Sequence, residues 1–138
     1  MIFVDSNVII DVIEHDENWS AWSLRELARA SGAGPVLVSA VVAAEVAPRF
    51  ESPAEFLEAM SDFLIEPEPL GLEAAFAAGR AFRRYLETRN ADRPKSLIAD
   101  FLIGAHALTL DASLLTRDPR FYRTYFPDLM LITPETHP

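Results

Sequence analysis

The chain has 138 residues, of which 50% are hydrophobic and 24% charged; this is typical of one globular domain, residues 1–138, and excludes a disordered chain. The absence of cysteine excludes a disulfide framework and a thiolate metal site. The net charge of −9 disfavours a nucleic-acid partner, but most basic residues are concentrated between Arg80 and Arg123, so such a partner is not excluded.

Short apolar strands alternate with helices in the first half of the chain. Asp5 and Ser39 stand where helix caps are expected, and prolines and glycines mark several helix ends. The predicted elements are a strand at 2–4, helices at 7–13 and 20–30, a strand at 36–38, and helices at 39–46 and 53–65.

The second half continues the alternation and predicts an α/β fold. A helix begins at Leu72, a second spans 97–110 after a cap at Ser96, strands lie at 113–116 and 130–132, and Asp118-Pro119 starts a helical turn. Short apolar strands separated by helices imply a parallel sheet covered on both faces. Ligands of such sheets bind beyond the carboxyl ends of the strands, where Asp5 and Asp118 are expected.

Four carboxylates stand in unusual surroundings. Asp5 and Asp118 each have a structural alternative, because either one suits a helix N-cap. Glu45 lies in the apolar segment VVAAEVA, where the alternative is an exposed helix face. Asp100 lies in the first turn of its helix, where the helix dipole favours an acid. Gly104, one turn later on the same face, predicts that something approaches this face closely.

A shared cation would explain the four acids together. Carboxylates beyond parallel strands and on buried helices repel one another unless a positive charge lies between them. Hard divalent cations such as Mg²⁺ or Mn²⁺ prefer oxygen ligands and retain waters that a phosphodiester can replace. The acids therefore predict a magnesium or manganese site.

Four segments resemble the PIN-domain ribonucleases, most closely the VapC-type toxins of bacterial toxin–antitoxin pairs. They are DSN at 5–7, SAVVAAEV with Glu45, IADFLIGAHAL with Asp100 and LLTRDPRFY with Asp118. The resemblance covers essentially the whole chain. It implies a three-layer α/β/α fold with a central parallel sheet of about five strands, Mg²⁺- or Mn²⁺-dependent cleavage of RNA, a homodimer and a cognate antitoxin.

The resemblance also implies roles for individual residues. The acidic quartet comprises Asp5, Glu45, Asp100 and Asp118, supported by the polar residues Ser6, Asn7 and Thr116. In the hypothesis, Asp5 and Asp100 hold the metal, Glu45 completes its shell, and Asp118 lies outermost. RNA phosphates would be held by basic residues before the Asp100 helix and around Asp118, namely Arg89, Arg93, Lys95, Arg117 and Arg120.

Two other functions stay open at the level of sequence. One is another acidic-cleft phosphohydrolase, although the second aspartate of a D-x-D pair is absent at positions 5–7. The other is a catalytically idle binding module for protein or RNA. No membrane-spanning stretch or leader is recognisable, so we expect a cytoplasmic location and no membrane partner.

Overall fold

The computed structural model describes residues 1–88 and 98–138. In this part of the chain, a parallel five-stranded sheet has the strand order β3-β2-β1-β4-β5. The strands are β1 (Ile2–Val4), β2 (Val36–Ser39), β3 (Ile65–Glu68), β4 (Ser113–Leu115) and β5 (Leu131–Ile132). The predicted parallel sheet of about five strands is confirmed.

Helices flank the sheet in the expected three-layer α/β/α arrangement. They are α1 (Ser6–Ile13), α2 (Ser20–Ala33), α3 (Ala40–Val46), α4 (Pro53–Asp62), α5 (Leu72–Thr88), α6 (Ile98–Thr109) and α7 (Arg120–Tyr125). Among these described helices, none combines the length and the apolar character needed to cross a membrane.

The structure corrects the sequence interpretation at two places. The predicted helix at 53–65 ends at Asp62, and the sequence IEPE that follows forms β3. Pro67 lies within β3, and an edge strand tolerates proline because one side of it needs no backbone donor. Asp118 does not cap a helix, since α7 starts at Arg120 and has no side-chain cap. The predicted cap at Ser96 lies outside the described residues.

The sheet topology places the site between β1 and β4. From β1 the chain adds β2 and β3 on one side of the sheet and β4 and β5 on the other, so the winding reverses at β1. Directly beyond β1, the Asp5 N–H donates to the Leu115 carbonyl of β4 at 2.9 Å. The carboxyl ends of these two strands therefore meet where α/β sheets bind ligands.

Gly104 permits close packing behind the site. A Cβ atom built at this position would lie 2.6 Å from the ring of Phe126, closer than two carbon atoms approach. The close approach predicted from the sequence is therefore confirmed. It lets the segment after α7 pack directly on α6, the helix that carries Asp100.

Candidate active site

Asp5 is the buried centre of the site, with 4% of its surface exposed. Its Oδ1 accepts the Ser6 N–H at 2.8 Å and so caps α1, which is the structural alternative that the sequence offers for this residue. Its Oδ2 accepts three donors: the Thr116 hydroxyl at 2.7 Å, the Tyr122 hydroxyl at 3.1 Å and the Asn7 amide at 3.1 Å. All of these donors are neutral, so Asp5 is oriented without being neutralised.

Asn7 and Thr116 connect the segments that follow β1 and β4. The Asn7 amide donates to Thr116 Oγ1 at 3.2 Å, and its Oδ1 accepts the Arg117 N–H at 3.1 Å. Thr116 Oγ1 also accepts the Asp118 N–H at 3.2 Å. The structure thus gathers Ser6, Asn7 and Thr116 around Asp5, while their support of catalysis stays a prediction.

The other predicted acids are electrostatically coupled to Asp5. Burial raises the pKa of Asp100 to about 6, and the charges of Asp5, Glu45 and Asp118 add to the increase. Burial also raises the pKa of Asp5, against the hydrogen bonds from Thr116, Ser6 and Tyr122. These effects show that the four carboxyl groups share one region of the structure.

Glu45 and Asp118 lie at the exposed side of this region. Burial of the Glu45 carboxyl raises its pKa, opposed by a hydrogen bond with the Ser6 side chain, and the charge of Asp5 adds to the rise. The side chain of Asp118 is 61% exposed and lies 3.6 Å from Arg120. Both acids are therefore more exposed than Asp5.

The donor chemistry of the four acids fits a hard divalent cation. All their donors are carboxylate oxygens, which suit Mg²⁺ and Mn²⁺. In residues 1–88 and 98–138, no three His, Asp or Glu side chains are already arranged as a shell around one ion. Binding of one ion by these acids would therefore require side-chain movement.

Two other buried carboxylates have basic partners. Asp11, only 1% exposed, accepts two hydrogen bonds from Arg117, at 2.9 and 3.0 Å, and one from the Ser23 hydroxyl at 2.9 Å. Glu26, 2% exposed, accepts hydrogen bonds from Arg25 and Arg29. Neither ion pair was predicted from the sequence.

The predicted RNA-binding residues fall into three groups. Arg89, Arg93 and Lys95 lie outside the described residues. The guanidinium of Arg117 is held by Asp11 and stands over the Trp19 ring, 5.5 Å from its centroid. Arg120 is 88% exposed. Contact with RNA stays a prediction for all five residues, and Arg117 has a structural contact besides.

Sequence reasoning missed Tyr122, which is 2% exposed and donates to Asp5. Burial, followed by the charges of Asp5 and Asp100, raises its pKa well above the usual value, so the phenol stays a proton donor. The only sequence signal was its position four residues after Asp118, which places it one helical turn away from that acid. Such spacing alone does not identify its partner.

Comparison with known proteins defines the family. A model of the PIN domain matches residues 2–127. A search of curated proteins gave no match.

Solved structures share the fold at low identity. A chain of VapBC2 from Rickettsia felis bound to a promoter DNA fragment is 22% identical, with a TM-score of 0.66 and coverage of 96% of this chain and 98% of that one. A chain of DNA-bound VapBC from Salmonella typhimurium is 18% identical, with a TM-score of 0.67 and coverage of 96% of this chain and 96% of that one. VapC20 from Mycobacterium tuberculosis, a toxin that cleaves the sarcin–ricin loop, is 18% identical, with a TM-score of 0.60 and coverage of 90% of this chain and 95% of that one. Because the family model covers nearly the whole sequence, this chain belongs to the PIN domain family.

Proposed function

We propose that residues 1–138 form a single PIN domain that acts as a Mg²⁺- or Mn²⁺-dependent endoribonuclease, the toxin of a toxin–antitoxin pair. The observation that carries the proposal is the absence of basic partners at three of the four acids. In the described residues, Asp5, Glu45 and Asp100 form no ion pair, whereas Asp11 and Glu26 do. A buried carboxylate without a counter-charge costs several kcal/mol, so a bound cation would relieve the strain.

The residues of this chain would hold and orient that cation. Asp5 Oδ2 accepts three donors, whereas Oδ1 accepts only the N–H and, at 3.4 Å, the hydroxyl of Ser6, so Oδ1 is the less occupied oxygen and would be the one to bind the cation. Asp100 and Glu45 supply further oxygens, and Asp118 completes the outer part of the shell. When bound, Mg²⁺ supplies Lewis acidity at the phosphate and an activated water.

The remaining polar residues would keep this arrangement rigid. Ser6 contacts both Asp5 and Glu45, so one hydroxyl links acids from two elements. Asn7 and Thr116 hold the loop after β4 against α1. Second-layer contacts of this kind typically change metal affinity or activity by about 10- to 100-fold when removed.

The decisive experiment removes the charge at the centre of the site. We expect Asp5→Asn to lower Mg²⁺-dependent cleavage of RNA by about 100-fold or more, because it removes a proposed ligand rather than a supporting contact. The assay uses labelled RNA with Mg²⁺, Mn²⁺ or EDTA, and circular dichroism verifies folding. Asp62→Asn, an exposed acid at the end of α4, is the matched control and should retain activity.

Metal binding is measured separately from cleavage. By mass action, Mn²⁺ at about 100 times its dissociation constant should stabilise the folded protein by about 2.7 kcal/mol. A folded Asp5→Asn protein that cleaves RNA as well as the wild type would overturn the mechanism. A wild-type protein that neither cleaves RNA nor gains stability from Mn²⁺ or Mg²⁺ would indicate an idle binding module.

The proposed partners follow from the relatives. Several similar structures are toxin–antitoxin complexes, among them one from Klebsiella pneumoniae with 20% identity and a TM-score of 0.63. We therefore propose an antitoxin partner, a homodimer and a cytoplasmic location. Exposed Leu24 and Leu64 line a groove of about 390 Å³ together with Phe63, an apolar surface suited to a protein partner. Light scattering of the purified chain tests the dimer.

A further inference from the structure

A second groove, of about 700 Å³, runs beside α5. Arg80, Arg84 and Thr88 of α5 form one wall, and Leu108 of α6 and the segment 124–128 form the others. Asp128 is the acidic residue among those that line it. Arg80 and Arg84 are four residues apart, so both guanidinium groups lie on the same face of the helix.

These two arginines differ from the other arginines of residues 1–88 and 98–138. The others each lie within 4 Å of a carboxylate: Arg25, Arg29, Arg49, Arg83, Arg117, Arg120 and Arg123. Arg80 and Arg84 are exposed and have no such partner in the described part of the chain. In a protein with a net charge of −9, two unpaired cations in one groove indicate a negatively charged ligand.

Helix α6 carries residues of both the groove and the acidic site. Tyr85 contacts Phe101, while Ala77 lines the groove with Leu108, so α5 and α6 run antiparallel. Arg84 therefore lies nearer than Arg80 to the end of α6 that carries Asp100. Leu108 is eight residues from Asp100, about 12 Å along the helix axis.

Helix α7 provides a second connection. Its Tyr122 donates a hydrogen bond to Asp5, while Tyr125, three residues later and on the same side of the helix, lines the groove. A strand of nucleic acid that leaves the acidic site along α6 and α7 would therefore enter the groove.

We propose that this groove binds the backbone of single-stranded RNA, with Arg80 and Arg84 contacting successive phosphates. The inference rests on the proposed ribonuclease function and names where its substrate lies. Guanidinium groups bind phosphate through paired hydrogen bonds, and exposed apolar residues beside them, here Leu108 and Pro127, offer a surface for bases. The groove shares helices α6 and α7 with the acidic site, and this favours RNA over an acidic peptide.

The test measures RNA affinity without cleavage. In the Asp5→Asn background and without divalent ions, a labelled oligouridine is titrated by fluorescence anisotropy at several salt concentrations. For Arg80→Gln/Arg84→Gln, we expect the slope of log affinity against log salt to fall by about 1.4, since each contact with a single strand contributes about 0.7. This corresponds to about 25-fold weaker binding at about 0.1 M salt.

The matched control removes the same charge elsewhere. Arg49→Gln/Arg83→Gln eliminates two arginines that are paired with Glu14 and Glu87 and do not line the groove, and should leave the slope unchanged. Equal slopes for the two double variants would overturn the inference. It would also be overturned if polyglutamate bound the protein through Arg80 and Arg84 but did not displace the RNA. Arg80→Lys/Arg84→Lys should restore most of the slope.

A parallel cleavage assay separates this inference from the proposed function. With Asp5 intact, the groove variant should show a raised KM for RNA and an almost unchanged kcat. If wild-type protein cleaves RNA but both double variants behave alike, the groove assignment fails and the ribonuclease stands. If wild-type protein does not cleave RNA, the proposed function fails, and the salt slopes still decide whether the groove binds RNA.

Discussion

Asp5 and Asp11 lie at opposite ends of α1, and both side chains are buried, yet their charges are compensated differently. Asp11 receives a guanidinium through two hydrogen bonds and a hydroxyl from Ser23. Asp5 receives only neutral donors from Ser6, Asn7, Thr116 and Tyr122. The first arrangement is complete within the protein, whereas the second leaves a net negative charge inside it.

The difference shows how to separate a structural acid from a functional one. Burial alone does not distinguish the two residues, because both are less than 5% exposed. What distinguishes Asp5 is that its neighbours Glu45 and Asp100 are also acids. Negative charge therefore accumulates at a place where a basic partner would have made the fold more stable. Such accumulation is expected where an external cation completes the site.

The largest effect on stability is expected when the Asp11 pair is broken. Arg117→Ala would leave Asp11 buried without a counter-charge and should lower the free energy of unfolding by about 3 kcal/mol or more, measured by urea denaturation. Arg83→Ala, which removes an exposed pair with Glu87, should change it by less than about 0.5 kcal/mol.

A double variant sharpens this test. Asp11→Asn combined with Arg117→Ala should recover part of the lost stability, since the uncompensated charge is gone. A loss below about 1 kcal/mol for Arg117→Ala alone would mean that Asp11 does not need its partner. The contrast with Asp5 would then disappear.

The next effect concerns the neutral donors of Asp5. Tyr122→Phe removes one of three hydrogen bonds to Oδ2, and we expect Mg²⁺ affinity to fall by about 10-fold, measured by calorimetry. Ca²⁺ affinity should fall less, because Ca²⁺ accepts both oxygens of a carboxylate whereas Mg²⁺ does not readily do so. Tyr125→Phe, on the same helix, is the control and should change neither affinity.

The local features of the site could be predicted from the sequence. Asp5 and Glu45 stand out because each is an acid within an apolar segment, and Gly104 because it weakens a helix without an evident reason. The parallel sheet followed from short apolar strands between helices. Each of these signals needs only neighbouring residues, and the structure bears out the sheet and the close approach to Gly104.

The contacts that distinguish the two acids could not be predicted. Asp11 and Arg117 are 106 residues apart, and Tyr122 lies 117 residues from Asp5. Such pairs arise from the packing of α1 against the loop after β4 and helix α7, and no local pattern specifies them. β3 could not be predicted for a related reason, because a strand tolerates Pro67 only at the edge position that β3 acquires in the folded sheet.

Neutralising Asp100 is expected to change the free energy of unfolding by less than Arg117→Ala does. Its folded pKa of about 6 lies above the unfolded value of 3.8, so its contribution to stability is present at low pH and is lost as pH rises through about 6. Without metal, Asp100→Asn should therefore stabilise the protein at pH 7, by about 1 to 2 kcal/mol after solvent screening.

The pH dependence provides the control for Asp100. The free energy of unfolding of metal-free wild type should decline between about pH 4 and pH 7, and the decline should be shallower in Asp100→Asn. If the two proteins show parallel profiles, Asp100 does not carry the charge accumulation that contrasts with Asp11.

The smallest change in stability is expected at Arg120, which flanks Asp118 together with Arg117. Arg120 is 88% exposed and lies 3.6 Å from Asp118, so Arg120→Gln should change the free energy of unfolding by less than about 0.5 kcal/mol. Any effect should instead appear as a higher KM for RNA than that of the wild type, because an exposed cation beside the site attracts a polyanion. This difference in KM should diminish with added salt, which screens the attraction. A decrease in the free energy of unfolding as large as that of Arg117→Ala would show that both arginines stabilise the fold. A KM for RNA equal to that of the wild type would show that Arg120 does not contact RNA.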